Sequence, residues 1–520
     1  MEFVFKGKNN CCGCGICELN CSQHAISMRV DEEGFRYPVI DSSRCIDCGK
    51  CISICTFAKC QSERIVYDEP IDNEKSIYIA RNKDKNTIIK SRSGGIFTAL
   101  SDNVLNEGGY VCGCILDKEL KAVHIICNDE LGRNQMRGSK YVESELSINF
   151  YNHVHSALKK NKKVLFSGTP CQSAAIKSYF SDYSENLICV SVLCHGVSSP
   201  KVFRQYIKYQ ENNSNKACVH FEFRNKEKYG WKAHVETLIM HDDNGKSAEV
   251  DSDIYAQIYY THLSLRPSCY FCPYKTQNHP SDIAIGDCWG IEACCGGDGF
   301  DGIFNDNMGA SIVIPNTTNG KEFLKNIYGE LEYKKLNMTE KLFQPALHVN
   351  YAFNEVERTK FWSDFNTDST SLFMKYSKSE NELSKYKGRY MDPRDHGVIT
   401  VQMLGYLLEM YEEDKKFDFL IDNYITDVAI YGFGFVGKHL YRTLIKKGIN
   451  VCFAIDKNAD QIDNLGVQVY NISQKWEQNH IGAIIVTPVK YFYEIESELY
   501  KRAPQTHIVS LETVLTYGQR

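Results

Sequence analysis

Short apolar runs rich in β-branched residues alternate with helical patterns through most of the chain after residue 75. Ser76–Ala80, Lys163–Ser167 and Leu187–Leu193 are such runs, and the last two end at Gly168 and Cys194. Apolar runs of this length separated by helical patterns are typical of an α/β fold. Ligands in such folds bind at the loops that follow the strands. We therefore expect the chemistry of the central region at these strand ends.

Two polar stretches, Ser62–Lys75 and Ser377–Asp395, interrupt this alternation. Polar stretches between periodic segments are typical of domain boundaries. The sequence thus predicts an α/β multidomain protein of 520 residues. The predicted parts are an N-terminal domain at 1–65, a central α/β domain at 75–375, a linker and helix at 376–425, and a small α/β domain at 426–520.

Composition and charge limit the function classes. The chain has 60 Lys+Arg against 65 Asp+Glu, so its net charge of -5 offers no overall attraction to nucleic acid. No apolar stretch is long enough to predict a membrane span. The N-terminus, MEFVFKGKNN, has no signal-peptide pattern, and we expect a reducing cytoplasm. There, 23 cysteines indicate metal or redox work rather than a disulfide framework.

Eight cysteines in the first 55 residues form two groups with the same spacing, C-x2-C-x2-C-x3-C, and the groups are 34 residues apart. Three thiolates within seven residues can surround one four-iron cube while the fourth reaches the other cube. Zinc sites more often use two separated CxxC pairs. The spacing therefore predicts two clusters: Cys11, Cys14, Cys17 and Cys55 hold one, and Cys45, Cys48, Cys51 and Cys21 hold the other.

This segment resembles the bacterial-type ferredoxin module, which implies that it carries electrons rather than substrate. Cys12 and Cys60 lie outside the repeated spacing, and we interpret them as spare thiols.

The central region contains glycine turns and cysteine loops in a definite order. A glycine turn before a helix can offer backbone amides to a phosphate, although a plain turn with a serine cap is the alternative. In chain order the motifs are Ser93-Gly94-Gly95, Gly138-Ser139-Lys140, SGTPCQ at 167–172, LCHGV at 193–197, FRNK at 223–226, RPSCYFC at 266–272 and SDIAIGDCWG at 281–290.

Taken together, this ordered set resembles the beta-subunit family of coenzyme F-420 hydrogenases and dehydrogenases, over roughly residues 1 to 370. The resemblance implies an iron-sulfur flavoprotein. In such a protein, FAD exchanges a hydride with a small organic substrate, and clusters exchange single electrons with a partner such as a ferredoxin.

The candidates for the phosphate and ribose of FAD combine amide donors with a cation, and they are Ser93, Gly94, Gly95, Ser139 and Lys140. Gly168, Thr169 and Gln172 are expected to line the same pocket. A solvated surface lysine is the alternative for Lys140.

Four more cysteines, Cys171, Cys194, Cys269 and Cys272, form the best candidate set for a third metal centre. Two of them follow predicted strands and two form a CxxC pair, so they can converge at one edge of a sheet. An iron-sulfur cluster is favoured, with zinc as the alternative. Cys288 is the first replacement to consider.

His195 follows one of these cysteines and is a candidate catalytic proton donor to flavin or substrate. A histidine that merely bonds a turn is the alternative.

The C-terminal region repeats the strand, glycine turn and helix pattern of a dinucleotide site. The turn contains Gly432, Gly434 and Gly437, and Asp456 ends the next predicted strand, where an acid can bind ribose hydroxyls. The region resembles small Rossmann-like domains attached to bacterial polysaccharide and nucleotide-sugar enzymes. Two interpretations stay open. The domain binds NAD(H) or a nucleotide sugar at these four residues, or it has a structural or docking role.

The sequence as a whole predicts an iron-sulfur flavoprotein oxidoreductase that passes electrons from ferredoxin-type clusters to FAD and on to a small organic substrate. One alternative is an electron-transfer subunit of a larger hydrogenase or dehydrogenase complex. The other is a redox-responsive nucleotide-sugar-binding protein of polysaccharide biosynthesis.

Overall fold

The chain forms two compact units, Met1–Tyr390 and Met391–Arg520, in a computed structural model. Both predicted polar stretches and Cys60 lie outside the described residues. The structure describes residues 2–3, 7–57, 76–231, 233–242, 244–276, 279–288, 308–336, 350, 353–376, 403–404, 407–408, 410–411, 417–462, 464–476, 481–488, 492–504 and 506–516.

Strands occur in both units. Those among the described residues are β1 Glu2–Phe3, β2 Ile26–Val30, β3 Arg36–Ile40, β4 Ile77–Asn82, β5 Tyr110–Leu116, β6 Ala122–Cys127, β7 Val164–Gly168, β8 Leu187–Val192, β9 Ala217–Glu222, β10 Glu236–His241, β11 Ser247–Ser252, β12 Ile283–Asp287, β13 Ser311–Pro315, β14 Leu331–Leu336, β15 Asp427–Tyr431, β16 Asn450–Ile455, β17 Val469–Tyr470, β18 Ala483–Val486 and β19 His507–Ser510.

Helices connect many of these strands. The α-helices among the described residues are Ile16–Leu19, Lys50–Ser53, Lys85–Ile89, Ile96–Asn106, Glu130–Met136, Ile148–Lys159, Pro170–Tyr179, Pro200–Ser214, Lys226–Tyr229, Ile254–Tyr260, Thr318–Lys325, Glu355–Met374, Asp418–Asp422, Phe435–Lys446, Phe492–Arg502 and Leu511–Thr516. Short 3-10 helices cover Lys8–Asn10, Ser181–Tyr183, Pro267–Phe271, Tyr328–Glu330 and Ala459–Gln461.

The centre of the first unit is an eight-stranded mixed sheet with the order β14-β4-β13-β12-β8-β7-β5-β6. Strands β12, β8, β7 and β5 run parallel to one another, whereas the other pairs are antiparallel. Strand β8, with the sequence LICVSV, is buried almost throughout, as expected for a parallel strand covered on both faces. Because β7, β8 and β12 end at the same edge, the loops that follow them lie close together.

The N-terminal segment forms a three-stranded antiparallel sheet, β1-β3-β2, with two short helices. Helix Ile16–Leu19 begins after Gly15 (φ 78°), and helix Lys50–Ser53 begins after Gly49 (φ 69°). Both glycines adopt the left-handed conformation, which glycine adopts without steric cost. The 34-residue repeat of the cysteines is therefore also a repeat of the backbone.

This N-terminal segment packs against the sheet as part of the first unit. The Arg358 guanidinium forms an ion pair with the Glu33 carboxylate, and the Tyr151 hydroxyl donates to the Cys14 carbonyl oxygen at 2.9 Å. Phe35 is fully buried in a hydrophobic cluster shared with the helix Pro200–Ser214. Polar and apolar contacts together fix the cysteine loops against the main body.

The second unit contains one parallel sheet with the order β17-β16-β15-β18-β19. The helix Phe435–Lys446 follows β15 through the predicted glycine turn. This sheet has five strands among the described residues, with the short β17 at one edge. The predicted α/β multidomain class is confirmed. None of the described helices is both long enough and apolar enough to cross a bilayer.

Candidate iron-sulfur and cofactor sites

The first set of cluster cysteines, which we call the inner group, consists of Cys11, Cys14, Cys17 and Cys55. Cys11, Cys17 and Cys55 are buried, and Cys14 is partly buried. Burial raises the pKa of the Cys17 thiol, and the nearby thiols of Cys11 and Cys55 raise it further. The last cysteine of the second repeat therefore lies beside the first repeat, as reciprocal ligation requires.

The second set, the outer group, consists of Cys21, Cys45, Cys48 and Cys51, and it lies closer to solvent. Cys48 is exposed and the other three are partly exposed. Burial raises the pKa of the Cys51 thiol, and the neighbouring thiols of Cys48 and Cys21 add to the rise. Cys21, the last cysteine of the first repeat, thus lies beside the second repeat, as the predicted reciprocal ligation also requires. Ligation itself stays a prediction.

Backbone amides also point at these sulfurs. Gly13 N donates to Cys11 Sγ and Ala25 N donates to Cys21 Sγ, both at 3.4 Å. Hydrogen bonds of this kind stabilise cluster thiolates and tune their potential. Among the described residues no group of three or more His, Cys, Asp or Glu side chains is arranged to hold a metal ion. A four-iron cube is larger than one ion, and each group supplies the four thiols that a cube needs.

The four cysteines predicted for a third centre also come together. Cys171 and Cys194 follow β7 and β8, and Cys269 lies on the 3-10 helix Pro267–Phe271. Burial raises the pKa of the Cys269 thiol, and the nearby Cys194 and Cys272 thiols raise it further. The Cys272 thiol is affected in the same way by Cys171 and Cys194. All four sulfurs are therefore neighbours at the carboxyl edge of the sheet.

Cys288 packs in a different place. It is fully buried in an apolar cluster with residues of β4, β12 and β13. A different residue, Lys275, lies beside the third set: its Nζ donates to the Cys194 carbonyl oxygen at 2.8 Å, and the Cys194 and Cys272 thiols interact with its charge. The only sequence signal for Lys275 is its place three residues after the CxxC pair.

Cys12 connects the inner group with the third set. The pKa of its thiol is raised well above the ordinary value, with the Cys14 thiol as the largest cause. Cys12, Cys171 and Cys272 pack together against a cluster that contains Cys55. The interpretation of Cys12 as a spare thiol stays a prediction. Spacing alone did not indicate this contact, because it depends on how the N-terminal segment packs against the sheet.

The Ser-Gly-Gly turn precedes the helix Ile96–Asn106, as predicted, and internal contacts account for two of its residues. Ser93 Oγ donates to the Ala310 carbonyl oxygen at 2.6 Å, and Gly94 N donates to Ser311 Oγ at 2.9 Å. A Cβ at Gly94 would lie 2.5 Å from the Ala80 carbonyl oxygen. Gly95 caps the helix with φ 82° and has no side-chain cap, so the first amides of the helix have no capping side chain.

The Gly-Ser-Lys loop follows the helix Glu130–Met136. Lys140 Nζ donates to the carbonyl oxygens of Gln135, Met136 and Arg137 at 3.0–3.3 Å. Burial lowers the pKa of Lys140 to about 8. These bonds satisfy the end of the helix, so they account for Lys140 without a ligand. Ser139 is partly exposed in the same loop. Flavin contacts by Ser139 and Lys140 remain predictions.

Gly168, Thr169 and Gln172 shape the start of the helix Pro170–Tyr179. Gln172 Oε1 accepts from Thr169 N at 3.0 Å, which is half of a capping box. Thr169 Oγ1 is hydrogen-bonded to Cys171 Sγ at 3.1 Å. A Cβ at Gly168 would lie 2.8 Å from the Phe166 ring and 2.9 Å from Gln172 Oε1. These residues position Cys171, and their predicted flavin contacts are not tested.

Arg92, which precedes the Ser-Gly-Gly turn, was missed from the sequence. Its side chain is largely buried, and its Nη2 lies 3.5 Å from Glu222 Oε1. Its Nε and Nη1 have no hydrogen-bond partner among the described residues. A Cβ at Gly138 would lie 3.3 Å from Arg92 Nη2, so this guanidinium lies beside the predicted Gly-Ser-Lys loop. A buried cation with unused donors is suited to bind a phosphate.

His195 is partly buried, and its burial together with nearby Lys275 lowers its pKa to about 3. Its imidazole is therefore neutral near pH 7, and any proton that it donates comes from a neutral ring. A catalytic role for His195 remains a prediction.

The glycine turn of the second unit is built by close packing. Gly432 has φ 86°, and a Cβ there would lie 2.6 Å from Pro488 and Thr487. A Cβ at Gly437 would clash with the Gly432 carbonyl oxygen, so the helix can approach the strand only with glycine here. Gly434 starts the helix and has open space around it.

Asp456 lies beside this turn at the end of β16. Its Oδ2 accepts from Phe433 N at 2.7 Å, and its Oδ1 accepts from Asn458 N at 2.9 Å. The carboxylate therefore holds the turn in shape, which is the structural alternative for this residue. Nucleotide binding by Gly432, Gly434, Gly437 and Asp456 remains a prediction.

The fold and the grouped thiols define an iron-sulfur electron-transfer protein of the oxidoreductase class. Residues 161–340 match the family described as the carboxy-terminal part of the beta subunit of coenzyme F-420 hydrogenase/dehydrogenase, and residues 10–59 match the 4Fe-4S dicluster domain. The predicted resemblance to this family is confirmed over these residues.

A xenon-derivatised structure of the F-420-reducing NiFe hydrogenase complex from Methanosarcina barkeri contains a similar chain. The identity is 19%, the match covers 56% of this chain and 94% of that chain, and the TM-score is 0.34. No curated protein matches the sequence.

Proposed function

We propose that this chain is an electron-transfer subunit of a larger hydrogenase- or dehydrogenase-type complex in the cytoplasm. The observation that carries the proposal is a series of cysteines from the surface into the main body. Cys48 is exposed. Burial and the neighbouring thiols, including that of Cys51 in the outer group, raise the pKa of the Cys17 thiol of the inner group. Cys12, Cys171 and Cys272 pack against the apolar cluster that contains Cys55.

The residues of this series divide the work. Bound four-iron clusters supply one-electron transfer. In the outer group, Cys48 is exposed and accessible to a partner. In the inner group, Cys11, Cys17 and Cys55 are buried, so water is excluded from their thiols. The third set stands at the carboxyl edge of the parallel strands, where α/β proteins bind their ligands.

A non-covalent flavin is the second part of the proposal. Bound FAD would exchange a hydride with an organic partner and single electrons with the clusters. We expect its phosphates beside Arg92 and the first amides of the helix Ile96–Asn106, because that guanidinium keeps unused donors and the helix start lacks a side-chain cap. Three predicted flavin residues belong to these two segments: Gly95 caps the helix, and Ser139 and Lys140 follow Gly138 in the loop beside Arg92.

Anaerobic purification with analysis of iron, sulfide and flavin tests both parts. We expect about twelve irons and one FAD per chain, since three four-iron centres need four irons each. About eight irons would remove the third cluster and leave zinc as the alternative at Cys171, Cys194, Cys269 and Cys272. Absence of flavin in reconstituted protein would contradict the second part only.

A separate experiment distinguishes a subunit from a self-contained enzyme with its own substrate. The tagged chain is expressed in its native host and isolated gently without oxygen. We expect co-purification in a fixed ratio with an oxidoreductase subunit that carries its own redox cofactor. Turnover of an organic substrate by the chain alone, with a simple one-electron donor, would instead support the self-contained enzyme.

A further inference from the structure

Arg266 brings a charged side chain into contact with the inner group. The residue is 1% exposed. Its Nε donates to the Cys11 carbonyl oxygen at 2.7 Å, and its Nη2 donates to the Arg36 carbonyl oxygen at 2.8 Å. The same Nη2 lies 3.7 Å from Cys11 Sγ. The guanidinium is thus held in a fixed position against a predicted cluster ligand.

The neighbours of Arg266 hold its guanidinium in place. Its guanidinium lies 4.2 Å from the centre of the Tyr37 ring, and its Nη1 lies 2.6 Å from Glu143 Oε1. A Cβ at Gly13 would come within 2.9 Å of Arg266 Nη1, so the cysteine loop packs directly on this ion pair. Charges interact strongly in a buried site because few water molecules screen them. A change in the charge of Arg266 or Glu143 therefore acts directly on the inner cluster.

The outer group has a different environment. Ala25 N donates to Cys21 Sγ, and Cys45 Sγ contacts Asp47 Oδ1 at 3.6 Å. Within the described part of the chain no guanidinium contacts an outer thiol. Water also reaches this group, since Cys48 is exposed. The two clusters of the repeat would therefore experience unequal fields despite their equal spacing.

We propose that Arg266 tunes the redox potential of the inner cluster and holds it above that of the outer cluster. Reduction moves one electron from the outer to the inner cluster and adds one negative charge beside the guanidinium, with no transfer of atoms. A fixed positive charge and an N–H···S contact stabilise the reduced state, which raises its potential. Electrons that enter at Cys48 are thereby drawn inward. This inference rests on the ligand assignment proposed above.

The test is an anaerobic redox titration followed by electron paramagnetic resonance on the full-length, reconstituted protein at pH 8. Two changes should move the inner potential in opposite directions. Glu143→Gln leaves the charge of Arg266 uncompensated and should raise it. The double change Arg266→Gln with Glu143→Gln removes both charges, so that no single buried charge is left behind. It should lower the inner potential by about 59 mV, which corresponds to a change of about tenfold in the electron distribution between the two clusters.

The matched control is Arg358→Gln with Glu33→Gln. This buried pair also joins the N-terminal segment to the main body, but the Arg358 guanidinium bonds the Glu33 carboxylate and the Leu265 carbonyl oxygen rather than a cluster cysteine. The double change should reduce stability to a similar degree and leave both potentials unchanged. The outer cluster, identified by the signal that Cys48→Ser loses, is the internal reference.

Equal shifts in the control, or shifts of the same sign in the two Glu143 variants, would overturn the inference. If the double variant fails to assemble clusters, Glu143→Gln alone decides, and an unchanged or lowered inner potential contradicts the role. Wild-type protein with fewer than about eight irons would instead contradict the ligand assignment itself.

Discussion

The two cysteine groups of the N-terminal segment have the same spacing and the same helix start, but they differ in what surrounds them. Helices Ile16–Leu19 and Lys50–Ser53 each follow a left-handed glycine. The inner group is packed against the main body and contacted by Arg266, whereas the outer group contains exposed Cys48. The repeat specifies where ligands lie, and the neighbouring body decides how each cluster is solvated.

This difference in solvent exposure suits the two cysteine groups to different roles in electron transfer, although their spacing is the same. A cluster near the surface exchanges electrons readily with a partner, because transfer needs close approach. A buried cluster next to a cation holds its electron more firmly. The following predictions break or sharpen this contrast, beginning with the largest expected effect.

The first prediction compares one ligand from each group. Cys17→Ser and Cys48→Ser should each remove about four irons per chain. Cys17→Ser should also lower the melting temperature by roughly 4 °C or more, because a buried cluster site contributes to folding. Cys48→Ser should leave the melting temperature nearly unchanged. Iron analysis and anaerobic thermal unfolding measure both effects, and equal losses of stability would remove the contrast.

The second prediction extends the contrast to the third set. Cys171→Ser should lose about four irons while the signals of both N-terminal clusters remain. Cys288→Ser is the matched control, because Cys288 is buried elsewhere in the same unit, and it should keep all its iron. Loss of iron in the control would return Cys288 to the ligand set.

The third prediction concerns the cation proposed for FAD. Arg92→Gln should weaken FAD binding by about tenfold to a hundredfold, as expected for the loss of a charge-assisted hydrogen bond. Lys140→Gln should weaken it less, since Lys140 Nζ is already bonded to three carbonyl oxygens. Flavin release measured by fluorescence compares the two, and the reverse order would restore Lys140 as the phosphate ligand.

The fourth and smallest effect is a pH dependence beneath the third set. Burial lowers the pKa of His124 from 6.5 to about 4, while its Nε2 lies 3.2 Å from the Ser167 carbonyl oxygen. Between these two pKa values His124 is protonated in the unfolded chain and neutral in the folded chain. The free energy of unfolding therefore falls as the pH falls below 6.5. Between pH 7.5 and 5.5 the loss should be about 1 kcal/mol. His124→Gln should flatten this part of the urea-midpoint profile, and an unchanged slope would contradict the assignment.

The sequence predicted the parts of the structure that local patterns control. The spacing of the eight cysteines predicted which of them lie together, since Cys55 accompanies the first repeat and Cys21 the second. Loops after parallel strands brought Cys171 and Cys194 to one edge, because the carboxyl ends of such strands meet there. Periodicity and turn residues were sufficient for these features.

Contacts between distant segments were not predictable in the same way. Cys12 and Arg266 acquire their neighbours only when the N-terminal segment and the main body pack together, and Arg92 acquires its neighbours when β9 and the loop at Gly138 come together. The sequence also cannot separate a ligand contact from a structural one at Lys140 and Asp456, whose partners are backbone groups of the chain itself. Both kinds of contact need the same residue types at the same turns.

The central claim is that electrons enter at the outer group and reach the third set through the inner group. Rapid mixing of oxidised protein with a reduced ferredoxin, followed by freeze-quench paramagnetic resonance, tests it most directly. We predict successive reduction of the outer, inner and third centres in the wild type. In Cys48→Ser, the third centre should be reduced at least about tenfold more slowly, since tunnelling must then span the site of the lost cluster. Reduction of the third centre at the wild-type rate in Cys48→Ser would contradict the account.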